Sequence, residues 1–289
     1  MAVKFKSFHR RLCLPKERIA FDQDVLETCF VPIIEYEFSV SDFKHLDSQV
    51  RGRDCEKSIR DILRSALQTS CAKQLRSTDR HLAQAILLHR LQNDYVQGNH
   101  EGHHNKSANK ALMGTMMQHH LTRALLELND DARKEVLEWS HHFMQFDVQN
   151  WYTSYQGVVS VVRTILASSM LDDAQIYLPN TAEDLTRGID LFVISGSHHL
   201  ALSVKTGRIH DVFIPCVTHV PHGYSGACRK ELERIKQSAQ FVSEQYGKPF
   251  CGMFLIVGKP HVLYEILSWD EDTIDLYCAM KEFSVSLAS

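Results

Sequence analysis

No apolar run in this sequence reaches the ~18 residues that a membrane span requires. The start, Met1-Ala2-Val3-Lys4-Phe5-Lys6, leads into mixed polar sequence and not into the apolar segment of a secretory leader. Eight cysteines are present, at 13, 29, 55, 71, 216, 228, 251 and 278, but none forms a Cys-x-x-Cys pair or sits at zinc-finger spacing. Free thiols without a leader point to the reducing cytosol, and a cytoplasmic protein is expected. A global basic signature is also missing, because the formal net charge is −3. Any contact with nucleic acid must then come from local positive potential.

What is present is enough apolar sequence for a sizeable core: 44% of 289 residues are hydrophobic. That length accommodates one large or two modest domains. Residues 1–20 are basic and irregular, with Lys4, Lys6, Arg10, Arg11, Lys16 and Arg18, and read as a solvated terminus or an arm that touches phosphates. Residues 28–40 are rich in β-formers and are expected to be extended, with Pro32 at an edge or bend. From about Arg53 to Gln97 the pattern turns helical. Ile59, Ile62, Leu63, Ala66 and Leu67 recur at three- and four-residue steps, then Leu82, Ala85, Ile86, Leu88 and Leu91, with Ser77-Thr78-Asp79 as a cap between them.

The segment 97–107 holds His100, Glu101, His103 and His104 beside two glycines. It lacks the hairpin and helix that a His-Asn-His nuclease would need, and reads as a solvated loop. Helices are predicted over 108–128 and 130–145, the second opened by Asn129-Asp130-Asp131. Their His-His neighbours, at 119–120 and 141–142, point about 100° apart on a helix and cannot chelate together. The helical pattern breaks at Asn150–Tyr155, which places a domain boundary near 150. The expected division is a mainly helical domain, 1–150, for DNA contact, dimerisation or partner docking, and a second domain, 151–289.

The second half reads as an α/β (α+β) unit: a mixed sheet flanked by helices. A helix is predicted over Gly157–Leu171 and a strand over Ala174–Leu178. Next comes a hairpin in which Ile189, Leu191 and Val193 alternate, Ser195-Gly196-Ser197 turns, and Leu200, Leu202 and Val204 alternate again. A long connection (207–227) follows, then a helix from Arg229 to Tyr246, and Phe250–Gly258, apolar enough for a strand buried on both faces. Residues 262–284 could add a further strand and a short helix. The hairpin brings Asp190, Ser203 and Lys205 to one rim of the sheet. An acid and a lysine so placed can form a cross-strand ion pair, or can hold a divalent metal and a water.

Helix, hairpin with Asp on one strand and x-x-Lys on the next, helix and buried strand together resemble the PD-(D/E)XK nuclease superfamily, over roughly residues 155–260. The resemblance implies a restriction-endonuclease-like sheet and a metal-dependent endonuclease hydrolysing DNA, of restriction, mobile-element or phage-defence type. Its cofactor would be Mg²⁺ or Mn²⁺. Asp190 would be the metal aspartate and Lys205 the catalytic lysine, with Ser203 at the catalytic position where that family has Glu, Asp or Gln. Serine is neutral and a poor Mg²⁺ ligand. Glu231 and Glu233 on the following helix, or Glu183 and Asp184 before the first strand, are the candidates for the second acid. Arg187, Thr206, Arg208, His210, Arg229, Lys230 and Arg234 are the expected phosphate contacts, and the segment 215–226 is a loop that could approach a duplex or a partner. DNA is the implied partner, with no membrane, and a homodimer or a place in a nucleoprotein complex is expected. Ser203 is the feature that favours the alternative, a nuclease fold that has lost its chemistry and serves as a nucleic-acid- or protein-binding subunit.

Overall fold

The computed structural model describes residues 10–15, 17–20, 22–25, 28, 30–48, 52–69, 75–97, 106–143, 148–196, 198–207, 222, 225–258, 277–278 and 280–281. The chain forms two compact units that divide between Tyr155 and Gln156, and the first strand belongs with the second unit. The histidine-rich loop, most of the connection after Gly207, Arg208 and His210 included, and most of 262–284 lie outside the described residues.

The helical unit contains α1 (Gln23–Val25), α2 (Val31–Ile34), α3 (Val40–Ser48), α4 (Gly52–Thr69), α5 (Ser77–Gln97), α6 (Lys106–Glu127), α7 (Asp130–Phe143) and the beginning of α8 (Val148–Ser169). The three- and four-residue spacing read from the sequence is what packs it. Leu82, Ala85, Ile86, Leu88 and Leu91 of α5 and Met113, Leu121, Ala124 and Leu125 of α6 are fully buried. Each large side chain of this kind contributes about 1.5–3 kcal/mol by leaving water. Asn129 accepts the Ala132 N–H at 2.8 Å and so caps α7 as expected.

The extended segment expected over 28–40 is corrected: α2 occupies 31–34, Tyr36–Ser39 form neither helix nor strand, and α3 begins at Val40. Pro32 stands in the first turn of α2, where its missing N–H is no loss. Phe30 and Ile33 are buried completely, and Phe30 meets Trp139 edge-on with ring centroids 5.3 Å apart. Core packing outweighs β-propensity over so short a stretch. The break expected at Asn150–Tyr155 is also corrected, since α8 runs through it. Trp151 and Tyr155 are buried, with Trp151 Nε1 donating to Ser140 Oγ at 2.8 Å and Tyr155 Oη donating to the Arg133 carbonyl at 3.3 Å.

The other unit is mixed α/β. It holds a five-stranded sheet in the order β1 (Arg10–Arg11), β2 (Gln175–Leu178), β3 (Leu191–Ser195), β4 (His198–Thr206), β5 (Cys251–Val257). The first three pairings are antiparallel and β4–β5 is parallel, as a crossover through a helix requires. α9 (Thr181–Arg187) links β2 to β3, and the crossover helix is α10 (Ser225–Tyr246). Arg10–Arg11, expected to be irregular, pair with Leu178 and Tyr177 and form the edge of the sheet.

One face of that sheet is closed by α10. Phe192, Ala201, Phe254 and Ile256 meet Leu232, Ile235, Ala239 and Val242 there. Gly252 permits the close approach, because a Cβ on it would lie 2.7 Å from the backbone oxygen of Ile235. Val158, Val162, Ile165 and Leu166 of α8 are at most 2% exposed, and Val161 is half-buried. Ser160 and Ser168 of that helix reach Thr206 and Met280 at 2.8 and 3.7 Å.

Candidate active site

The hairpin register is Leu191 opposite Leu202 and Phe192 opposite Ala201, continuing to Ser195 opposite His198. The ladder ends at Leu191. One residue earlier, Asp190 donates its backbone N–H to the Leu202 carbonyl at 2.8 Å. Its carboxylate then accepts the Val204 N–H at 2.7 Å, taking the place of a strand carbonyl that β3 no longer supplies. Lys205 Nζ stands 3.8 Å from the same oxygen, Oδ2, and its side chain is 45% exposed against 16% for Asp190. A rim carboxylate is thus fixed from behind by the backbone and faced in front by a solvated ammonium.

Ser203 lies two residues before Lys205 and so on the same side of β4. It is 1% exposed, and its Oγ has no hydrogen-bond partner among the described residues. A buried hydroxyl without a partner is disfavoured by about 1–3 kcal/mol and is uncommon in folded proteins. Asp190, Ser203 and Lys205 are therefore brought together as the sequence expected.

The remaining expected residues occupy different settings. α10 begins at Ser225, four residues before the expected start, so Glu231 and Glu233 fall in its second and third turns. Glu231 Oε1 is 3.4 Å from Arg234 Nη1, and Glu233 Oε1 accepts from Gln237 Nε2 at 3.1 Å. Glu183 forms a capping box with Asn180 at the start of α9: its N–H goes to Asn180 Oδ1 at 3.0 Å, and its Oε2 accepts the Asn180 N–H at 3.3 Å. The pattern Asn180-x-x-Glu183 was open to recognition in the sequence as a helix start. Burial pushes the Tyr246 phenol well up, and the charge of Glu183 adds to that shift. Among the described residues, no three of His, Cys, Asp and Glu gather where a metal ion could sit.

Of the expected phosphate contacts, Arg229 and Lys230 are exposed near the start of α10. Arg187 lays its guanidinium 3.3 Å above the Phe241 ring. Its carbonyl accepts from Arg234 Nε at 3.4 Å and from Ser238 Oγ at 2.9 Å. Gly188, at φ 63°, ends α9 and leaves room for the Arg234 guanidinium, which a Cβ would meet at 1.6 Å. Thr206 shares a 2.8 Å hydrogen bond with Ser160 of α8. The junction of α9, β3 and α10 was not legible beforehand, because Gly188 gave no signal apart from its place after Arg187.

No described helix is long and apolar enough to cross a membrane. Comparison of the chain with protein families, curated proteins and solved structures gave no match.

Proposed function

We propose that this protein is a divalent-metal-dependent hydrolase of DNA phosphodiester bonds, with a restriction-endonuclease-like sheet carrying the site at the β3–β4 rim. The observation that supports it most is the placing of Lys205 Nζ 3.8 Å from an Asp190 carboxylate that the Val204 N–H already holds in position. Mg²⁺ commonly uses only one or two protein carboxylates, with waters and substrate phosphate oxygens completing its shell. Asp190 fits that demand, and the Ser203 hydroxyl beside it is an oxygen without a partner among the described residues. The second acid would be Glu231, Glu233 or Glu183. Bound there, Mg²⁺ or Mn²⁺ would neutralise charge on the phosphate and lower the pKa of a nearby water. Asp190 would hold that ion. Lys205, the exposed member of the pair, sits where it can hold the attacking water or balance charge on the scissile phosphate. Arg187, Arg229, Lys230 and Arg234 would engage flanking phosphates. Two copies acting together would cut both strands.

Ser203 favours a second reading, a nuclease fold kept as a nucleic-acid- or protein-binding subunit. A neutral hydroxyl replaces an acid there, and no three-ligand group forms among the described residues.

Supercoiled plasmid incubated with Mg²⁺ or Mn²⁺ separates the two. The native chain is expected to cut. Asp190→Asn and Lys205→Ala are expected to lose on the order of a hundredfold or more in rate, the scale on which catalytic side chains act. Cleavage that survives both substitutions sinks the site, and no cleavage with either metal supports the binding subunit. Separate Glu231→Ala, Glu233→Ala and Glu183→Ala variants identify the second acid.

A further inference from the structure

The helical unit contains a cavity of about 440 Å³ among α4, α5 and α6. Arg60 and Arg64, one turn apart on α4, and Arg80 of α5 bring three guanidinium groups to its wall. No carboxylate is among its described lining residues. Glu56 and Asp61 pair with Arg60 and Arg64 at 2.6 and 2.7 Å, but from outside that wall. Arg60 spends Nε and Nη2 on Glu56, and Arg64 spends Nη1 on Asp61. Arg80 meets only the Leu75 carbonyl, at 3.5 Å, among the described residues. Each guanidinium thus keeps N–H groups uncommitted.

Cationic side chains crowd that corner, although Glu56 and Asp61 pair with two of them. His120, also on the wall, is held well below its ordinary value by burial first, then by His81, Arg123, Arg60 and His119. Placing Arg60 and Arg64 four residues apart on one helix is itself unfavourable. Leu63 and Leu67 supply an apolar part of the wall between them, and Gln84 supplies an amide able to donate and accept. A concave, partly apolar site with a few convergent polar groups suits a small molecule, and its volume lies within the usual range for one. The backbone of a duplex asks instead for a cationic stripe on an open surface.

We infer that this cavity binds a small organic phosphate, with its phosphate on Arg60, Arg64 and Arg80 and its organic body against Leu63 and Leu67. Guanidinium groups match phosphate oxygens in paired N–H···O contacts, and three of them suit a group with three free oxygens better than a carboxylate. The site is separate from the Asp190 rim, and its test reads binding rather than cleavage.

The experiment is calorimetric titration of the full chain with AMP and with phenyl phosphate, with adenosine and phenol as the phosphate-free controls. At least one phosphate is expected to bind about tenfold or more tightly than its control, a margin that charge-assisted paired contacts reach. Arg64→Gln combined with Arg80→Gln should abolish that difference while circular dichroism stays native. Gln84→Trp, which fills the cavity without changing charge, should block binding and serves if the double variant does not fold. Equal binding of phosphate and control, no binding of either phosphate at millimolar concentration, or native binding by Gln84→Trp would each overturn the inference. So would a duplex oligonucleotide that binds through these arginines when neither small phosphate does.

Discussion

Val204 donates its backbone N–H to the Asp190 carboxylate at 2.7 Å, so a side chain just ahead of one strand finishes the hydrogen bonding of the next. Asp190→Ala removes the acceptor and leaves a strand N–H unpaired, a change of about 1–3 kcal/mol. Asp190→Asn keeps an amide oxygen for the same bond and should lose less than half as much. Urea unfolding of the two variants checks this. Under the proposed hydrolysis both variants lose activity, so stability and cleavage part company at Asn.

Ser203 gives the opposite sign. Its hydroxyl is 1% exposed and unpartnered among the described residues, so Ser203→Ala removes a disfavoured group and is expected to leave stability unchanged or raise it by up to about 1 kcal/mol. If that oxygen serves the metal or the substrate, cleavage falls while the melting temperature holds or rises. A clear loss of stability would instead reveal a structural bond to the hydroxyl.

Gly252 tests the packing of α10 on β5. A Cβ there meets the Ile235 carbonyl oxygen at 2.7 Å and its carbon at 2.9 Å, both backbone atoms that cannot rotate away. Gly252→Ala should destabilise the chain by about 2 kcal/mol, the usual scale of overpacking. Thermal unfolding measures it, and an unshifted melting temperature would mean that α10 can move off the strand freely.

His120 sets a pH dependence. Burial depresses its pKa from 6.5, and His81, Arg123, Arg60 and His119 push in the same direction. His81 Nδ1 lies 2.9 Å from His120 Nδ1, a contact that needs at least one ring to accept. The folded state therefore binds the proton less readily than the unfolded chain. The stability from a neutral His120 is complete above about pH 6.5 and declines as the pH falls below it. Denaturant midpoints between pH 7.5 and 5 should drop, and His120→Gln should make that drop shallower. Equal slopes in the two proteins would remove His120 from the account.

The hairpin was legible because its turn fixes the register: with Ser195 opposite His198, Leu191 falls opposite Leu202, and Asp190 and Lys205 then share an end. Three- and four-residue spacing exposed α5 in the same way, since Leu82, Ala85, Ile86, Leu88 and Leu91 are all fully buried. Residues 31–34 misled because Val and Ile suit a strand, whereas the chain there buries Phe30 and Ile33 in a helical unit no local pattern describes. Asn150–Tyr155 misled for a related reason. Its aromatics and polar residues look like a break until Ser140 and the Arg133 backbone are seen to receive Trp151 and Tyr155. The cavity was hidden differently. The apolar stripe of α4 was plain, but whether Arg60 and Arg64 would face Arg80 is set by how α4 lies against α5, and spacing along one helix says nothing of that.

Arg10 and Arg11 pair with Leu178 and Tyr177, so the outer strand of the sheet is made before the whole helical unit and its partner is made after it. During synthesis those two residues must wait, unpaired, until the helical unit has emerged and β2 follows. Until then that edge of the sheet does not exist, and afterwards the early strand covers it. A chain trimmed of its first fourteen residues would keep every helix of the helical unit and both members of the Asp190–Lys205 pair. It would also bare the edge of β2 to any other strand able to pair with it, and self-association is the behaviour to expect of that truncated protein.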